Sequence, residues 1–150
     1  MLLSSACVYG LRASVYLASV SDDSYVSITK ISEELDISRH FLTKVLQKLT
    51  DNDIMESMKG PKGGVRLTRP GDEIVLLEIV AAIDGMDILT ECALGLPGCG
   101  TAKPCPIHDQ WADTRDEIRQ MLTETTLRNL VDRGKAGNLR LTEEGEFKWA

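Results

Sequence analysis

The feature that most restricts how this chain can fold lies between residues 28 and 50, where two short amphipathic stretches are separated by only three residues. Ile28 to Leu35 reads as a short helix with Ser27 as its cap. Asp36-Ile37-Ser38 is a tight turn whose serine is placed to cap the next helix. That helix, Arg39 to Thr50, carries Leu42, Val45, Leu46 and Leu49 at i, i+3, i+4 and i+7, the spacing of one buried face. Its other face carries Arg39, His40, Thr43, Lys44, Gln47 and Lys48. Two short helices joined by such a turn, the second basic where it meets solvent, form a helix-turn-helix pattern. Strand candidates Ile54 to Met58 and Val65 to Arg69 follow, flanking Lys59-Gly60-Pro61-Lys62-Gly63-Gly64. Glycines permit the sharp reversal, and the hairpin directly after a helix-turn-helix reads as a wing with Lys59 and Lys62 at its tip.

The rest of the chain reads as mainly helical. Residues 5–20 form a helix capped by Ser4 or Ser5, with Val8, Leu11, Val15 and Ala18 turned inward. Pro70-Gly71 ends the wing, and Asp72 to Ile83 is an amphipathic helix with Ile74, Leu77, Val80 and Ala81 inward. Gly85 to Pro106 is loop-like. Ile107 to Thr123 is a long helix with a narrow stripe of Trp111, Thr114, Ile118 and Met121, which suits packing against another helix. A second copy of the chain is the simplest partner. Thr125 to Arg133 is a short terminal helix ending at Gly134. The expected fold class is therefore mainly α with a small β-wing: a winged helix-turn-helix over residues 1–84, a cysteine-bearing loop over 85–106, a dimerisation helix and short terminal helix over 107–134, and a flexible tail over 135–150.

A net charge of -6 argues against a nucleic-acid binder until its distribution is considered. Between Arg39 and Arg69 stand seven bases and three acids, so that segment is +4 and the remainder carries -10. An acidic body with one basic module stays soluble and still meets phosphates. Arg39, His40, Thr43 and Lys44 fall where a recognition helix reaches base edges, and Arg39 has the bidentate fork suited to guanine. Lys48, Lys59 and Lys62 suit phosphate or the minor groove. No apolar run approaches the ~20 residues of a membrane span, and a cytoplasmic protein is expected.

Four cysteines are unevenly placed: Cys7 alone, then Cys92, Cys99 and Cys105 close together, with His108 following. A zinc ribbon or knuckle pairs its cysteines as C-x2-C, because a tight turn aims two thiolates at one small ion. Here the spacing is C-x6-C-x5-C-x2-H. The wider, glycine-rich loop leaves room for a larger object, and iron–sulfur clusters are held by thiolates with occasional histidine. Zinc, or free redox-active thiols, are the alternatives.

These pieces together resemble the winged-helix iron–sulfur transcriptional regulators, the family of IscR and NsrR (Rrf-two-type regulators). The resemblance rests on Leu3-Ser4-Ser5 with Tyr9, Ile37-Ser38 before Phe41-Leu42, Lys59-Gly60-Pro61-Lys62-Gly63-Gly64, Ile83-Asp84, the three loop cysteines, His108 with Trp111, and Thr126-Leu127. It implies a homodimer crossed through the long helix, reading a palindromic operator in double-stranded DNA. It also implies a 2Fe–2S or 4Fe–4S cluster held by Cys92, Cys99 and Cys105, with His108 completing the set as in the cluster-assembly regulator. The chain departs from the family at the first cysteine gap, one residue longer than usual, and at Val8, where some members carry an acidic ligand. Cys7 stands next to that position and is a candidate fourth thiolate.

The expected function is a DNA-binding transcriptional regulator whose operator binding is controlled by an iron–sulfur cluster sensing redox, nitric oxide or iron–sulfur status. No Ser/His/Asp constellation or phosphate-binding loop points to an enzyme. Two rivals are a winged-helix module with a purely structural zinc site at Cys92, Cys99, Cys105 and His108, and an electron-transfer protein that uses the cluster itself.

Overall fold

The computed structural model describes residues 2–20, 22–100, 102–143 and 147–149. Helix α1 (Ser5–Ser19) begins at Ser4, whose hydroxyl accepts the Cys7 N–H at 3.1 Å. The backbone N–H of Ser4 donates to Asp84 at 2.9 Å, and its hydroxyl donates to the same carboxylate. The expected inward face of α1 differs from the observed one. Val15 is buried, but Val8, Leu11 and Ala18 are only half-buried, while Cys7, Gly10, Ala13, Ser14, Tyr16 and Leu17 are buried. The reason is that α1 is packed on several sides at once, so its closest approaches fall on small residues. A Cβ on Gly10 would overlap the Ile83 side chain and lie 3.2 Å from that of Val45.

Helices α2 (Ile28–Leu35) and α3 (Arg39–Asp51) form the helix-turn-helix. Ser27 caps α2 by accepting the Lys30 N–H at 3.1 Å. Asp36 turns the chain in the left-handed region, φ 51°. Ser38 occupies the cap position of α3, but its side chain makes no cap hydrogen bond. Leu42, Val45, Leu46 and Leu49 are all buried, as their spacing requires.

Strands β1 (Met55–Met58) and β2 (Gly64–Leu67) pair antiparallel, with Met55 opposite Leu67 and Met58 opposite Gly64. Val26 adds a one-residue third strand, exchanging two hydrogen bonds of 2.9 Å with Val65. Gly64 permits this approach. Its φ is 151°, and a Cβ there would overlap the carbonyl of Val26. The wing is thereby fastened to the segment that leads into α2.

A single 3-10 turn over Gly71–Glu73 follows. The expected helix from Asp72 starts only at Leu76: α4 is Leu76–Ile83, with Leu76, Ile79, Val80 and Ile83 buried, Leu77 half-buried and Ala81 exposed. Ile74 and Val75 are held extended instead, because Val75 bridges Thr126 and the Leu127 N–H donates to Ile74 at 3.0 Å. The loop after Gly85 is not wholly irregular, since it contains the short helix α5 (Asp87–Thr90).

Helix α6 (His108–Glu124) buries only His108 and Leu122. Of its expected stripe, Trp111 and Ile118 are half-buried, Thr114 is exposed, and Met121 is 56% exposed. Helix α7 (Leu127–Gly137) starts with reciprocal bonds between Thr126 and Asn129 and runs past Gly134 to a left-handed Asn138. Gly134 is interior because the Trp149 ring lies against it; a Cβ would overlap the indole. Phe147, 4% exposed, packs edge-on to Tyr16 and Trp149. The expected flexible tail therefore differs in its described residues: part of it is helix and part is core. Arg12 holds this segment down, donating to the carbonyls of Leu141 at 2.8 Å and Leu35 at 2.9 Å.

Gly64→Ala is expected to destabilise the protein by about 2 kcal/mol, through a strained backbone angle and loss of the Val26 approach. Urea denaturation compared with wild type measures this; an unchanged midpoint would contradict the assigned role of the glycine.

Candidate nucleic-acid interface and cysteine site

Helix α3 presents Arg39, His40, Thr43, Lys44 and Lys48 on its exposed side, and Lys59 and Lys62 are exposed on the wing. None of these basic groups meets a carboxylate within ion-pair distance among the described residues. The two other bases of the segment behave differently. Arg66 pairs with Glu56 at 2.5 Å and lies 4.4 Å over the Tyr25 ring, and Arg69 pairs with Glu78. The wing's arginines thus fasten the hairpin, while the lysines at its tip and the bases of α3 keep their charge available. Exposed ion pairs contribute little stability in water, so the more telling property is which charges are left unneutralised.

Between α3 and the wing runs a groove of about 360 Å³, lined among others by Arg39, Thr43, Gln47, Lys59 and Gly60. Arg39, Thr43 and Lys59 therefore face one concavity, whereas His40, Lys44 and Lys48 lie on the outer surface of α3 and Lys62 lies beyond it. Thr43 donates its hydroxyl to the Arg39 carbonyl at 2.8 Å, which leaves its oxygen lone pairs as acceptors. Gln47 was not singled out from sequence. Its amide donates to Asp51 at 2.8 Å, and its four-residue steps from Thr43 and Arg39 were the signal available.

The second site is the loop between α5 and α6. Cys92 and Cys105 lie with their sulfurs 3.5 Å apart, and Cys99 Sγ lies 3.5 Å from His108 Nδ1. All four cysteines are unbridged. The loop turns at Gly95 and Gly98, with φ of 73° and 71°. A depression of about 440 Å³ opens there, lined by Cys92, Gly95, Leu96 and Cys99 among others. Backbone amides of Leu96 and Leu94, aided by Cys105, hold the Cys92 thiol below the usual range; the Leu94 N–H lies 3.4 Å from its sulfur. Donors to sulfur stabilise the thiolate, the form that binds metal.

Helix α6 is fastened to this loop from its own side. Trp111 Nε1 donates to the Glu91 carbonyl at 2.8 Å, Arg115 to the same carbonyl at 3.1 Å, and Arg119 to that of Leu89 at 2.8 Å. Cys7 lies elsewhere: it is fully buried in the hydrophobic core and takes part in neither donor pair. Burial, and secondarily the charge of Asp84, pushes its thiol up to about 12. Val8 beside it is half-buried and has no ligating atom.

A tetrahedral metal holding two thiolates at ~2.3 Å places them roughly 3.8 Å apart. Both donor pairs are close to that span. No three of the chain's His, Cys, Asp or Glu groups converge on one point among the described residues. Each pair is a donor set of the kind a metal ion takes, two thiols in one and a thiol with an imidazole in the other.

Comparison with known proteins agrees with the winged helix-turn-helix. A family model, Rrf2, described as an iron-dependent transcriptional regulator, matches residues 3–144. The chain belongs to the Rrf2 family. It is 33% identical over 132 residues to the HTH-type transcriptional regulator IscR of Photorhabdus laumondii, covering 88% of this chain and 80% of that one. Among solved structures, CymR, the global cysteine regulator of B. subtilis, superposes with a TM-score of 0.73 at 24% identity, covering 85% of this chain and 94% of the other. T. potens IscR superposes with a TM-score of 0.73 at 20% identity over 92% and 91%. At those identities the two structures speak to the fold, which is that of the winged-helix Rrf2 regulators. The protein is a transcriptional regulator and not an enzyme. No helix among the described residues is long and apolar enough to cross a membrane.

Three measurements test this geometry. Metal-free protein is expected to react rapidly with a thiol reagent at three cysteines, and at Cys7 only after denaturation. Because the folded Cys7 pKa, about 12, lies above the ordinary 9.0, the unfolded chain loses this proton first. Stability from this group is intact below pH 9 and declines as pH rises toward 12; Cys7→Ala should flatten that decline in denaturant titrations. For DNA, Lys62→Ala should weaken binding evenly across sequences and shallow the slope of log K against log salt by about 1 per copy. Arg39→Ala should cost about 1–3 kcal/mol and relax preference at one base pair. Fluorescence anisotropy at several salt concentrations distinguishes the two.

Proposed function

We propose that this regulator is a cytoplasmic homodimer that binds a palindromic operator in double-stranded DNA, and that binding is controlled by an iron–sulfur cluster responding to redox state, nitric oxide or iron–sulfur supply. The observation that carries the proposal is the pairing of the loop donors: Cys92 with Cys105, and Cys99 with His108, each 3.5 Å apart. Two such pairs are what a 2Fe–2S cluster would need, and Cys92 with Cys105 and Cys99 with His108 would be the residues that hold it. A 4Fe–4S cluster or a single structural zinc would ask these four donors to converge differently. The name of IscR among the relatives agrees with the same reading.

A bound cluster would supply a centre that gains or loses an electron and reacts with small oxidants. The chain's own residues supply everything else. Cys92, Cys99, Cys105 and His108 would hold the group where the loop joins α6. Trp111, Arg115 and Arg119 tie α6 to the end of α5, so an ordered loop and the position of α6 are linked. Helix α6 buries two of its seventeen residues in this chain, leaving Ile118 and the exposed Met121 to meet the same helix of a second copy. In that assembly residues 1–84 form the DNA-binding unit, 85–106 the cluster loop and 107–134 the dimer contact. A two-fold operator fixes the half-site separation at ~34 Å, so a change in α6 registers as a change in affinity. Arg39, His40, Thr43 and Lys44 read bases, while Lys48, Lys59 and Lys62 hold phosphate.

Protein purified without oxygen should carry iron and sulfide in equal amounts with visible charge-transfer absorption. Cys99→Ala should lose both, and its operator affinity should no longer depend on the oxidant. Colourless wild-type protein holding stoichiometric zinc would overturn the cluster in favour of a structural metal site.

A further inference from the structure

Arg115 has a surrounding that its role as a helix fastener does not account for. It lies two turns beyond His108 on α6 and so shares that residue's face. Its Nη1 donates to the Glu91 carbonyl at 3.1 Å and reaches Cys99 Sγ at 3.5 Å. Its Nε is buried with no hydrogen-bond partner. No carboxylate among the described residues pairs with it, although Asp113, Asp116 and Glu117 stand close to it in sequence. A partly buried cation without a counter-ion is costly to maintain, and an orphaned buried donor in a native fold calls for an acceptor. Among the described residues, the titratable group within hydrogen-bond distance of its guanidinium is the sulfur of Cys99.

We propose that Arg115 is the counter-ion of the thiolate-bound group in the cysteine loop, and that its charge beside Cys99 holds the reduction potential of that group up. This rests on the iron–sulfur reading of the preceding subsection. A cluster held by three thiolates and a neutral histidine is anionic, and becomes more so by one charge when it takes up an electron. A fixed cation nearby favours the reduced form over the oxidised one, since net charge and hydrogen bonds to the sulfurs are what set such potentials. Arg115 is thus a positioning and tuning residue, acting through Cys99, and not a ligand. Arg119 supplies the contrast. It stands one turn further along the same face and donates to the Leu89 carbonyl at 2.8 Å, and it meets no sulfur among the described residues.

The test is a spectroelectrochemical titration of anaerobically reconstituted protein, as wild type, Arg115→Gln, Arg115→Lys and Arg119→Gln, with circular dichroism to verify folding. The expected result is a lower midpoint potential in Arg115→Gln, a potential restored most of the way in Arg115→Lys, and a wild-type potential in Arg119→Gln. If Arg115→Gln takes up no iron while Arg115→Lys loads, the requirement for charge is supported. The inference is overturned if folded Arg115→Gln titrates like wild type, if Arg119→Gln shifts as far, or if neither Arg115 variant loads. A wild-type protein that takes up no iron and sulfide would instead remove the reading on which this one stands.

Discussion

Helix α1 meets α3 and α4 at Gly10 with no room for a side chain there, and the rest of the molecule is arranged around that contact. Through it the recognition helix, whose Val45 and Leu49 line the same spot, is held at a set distance from α4. Helix α4 in turn leads by way of Asp84 to the cysteine loop. Asp84 accepts two hydrogen bonds from Ser4 at the start of α1, so the helix that supports the DNA-reading unit is also tied to the entrance of the loop. Interiors packed at crystal density transmit small shifts instead of absorbing them. The entrance of the cysteine loop is therefore connected to α3 through two short contacts, one polar and one steric.

The wing divides its charges by purpose. Arg66 and Arg69 are neutralised locally by Glu56 and Glu78, and their contribution is to shape. The lysines at the tip and the bases of α3 have no such partners and give the module its positive face. The same division recurs at α6. Arg119 and Arg115 both donate to carbonyls and neither pairs with a carboxylate among the described residues, but Arg115 also reaches the Cys99 sulfur and keeps a buried Nε without an acceptor. In both places the informative property of a basic residue is what it fails to meet.

The helix-turn-helix, the wing and the cysteine spacing were legible in sequence because their signals are local. Leu42, Val45, Leu46 and Leu49 repeat at helical spacing, and Lys59-Gly60-Pro61-Lys62-Gly63-Gly64 can only reverse the chain. What escaped was set by distant partners. Helix α1 is buried on several sides, so Cys7, Gly10 and Ser14 carry its contacts and no apolar stripe reveals them. Ile74 and Val75 have a helical pattern but are drawn straight by Thr126. The face of α6 toward the loop is made of Trp111, Arg115 and Arg119, whose polar atoms bond the carbonyls of Leu89 in α5 and Glu91 just after it; a hydrophobic periodicity passes over them. Pairing within the loop was equally hidden, since spacing places four donors near one another without saying which two meet.

Arg12 draws together two parts of the chain that lie far apart in sequence. Its guanidinium satisfies the carbonyl of Leu141, near the end of the chain, and that of Leu35, the last residue before the turn that orients α3. One side chain is thus shared between the tail and the hinge of the DNA-reading unit. Drawing the tail away, whether by a fused affinity tag or by a protease cut after Leu139, strips the guanidinium of one anchor and loosens its hold on the other. An alteration made at the end of the polypeptide is consequently felt at the approach to the recognition helix, more than a hundred residues earlier.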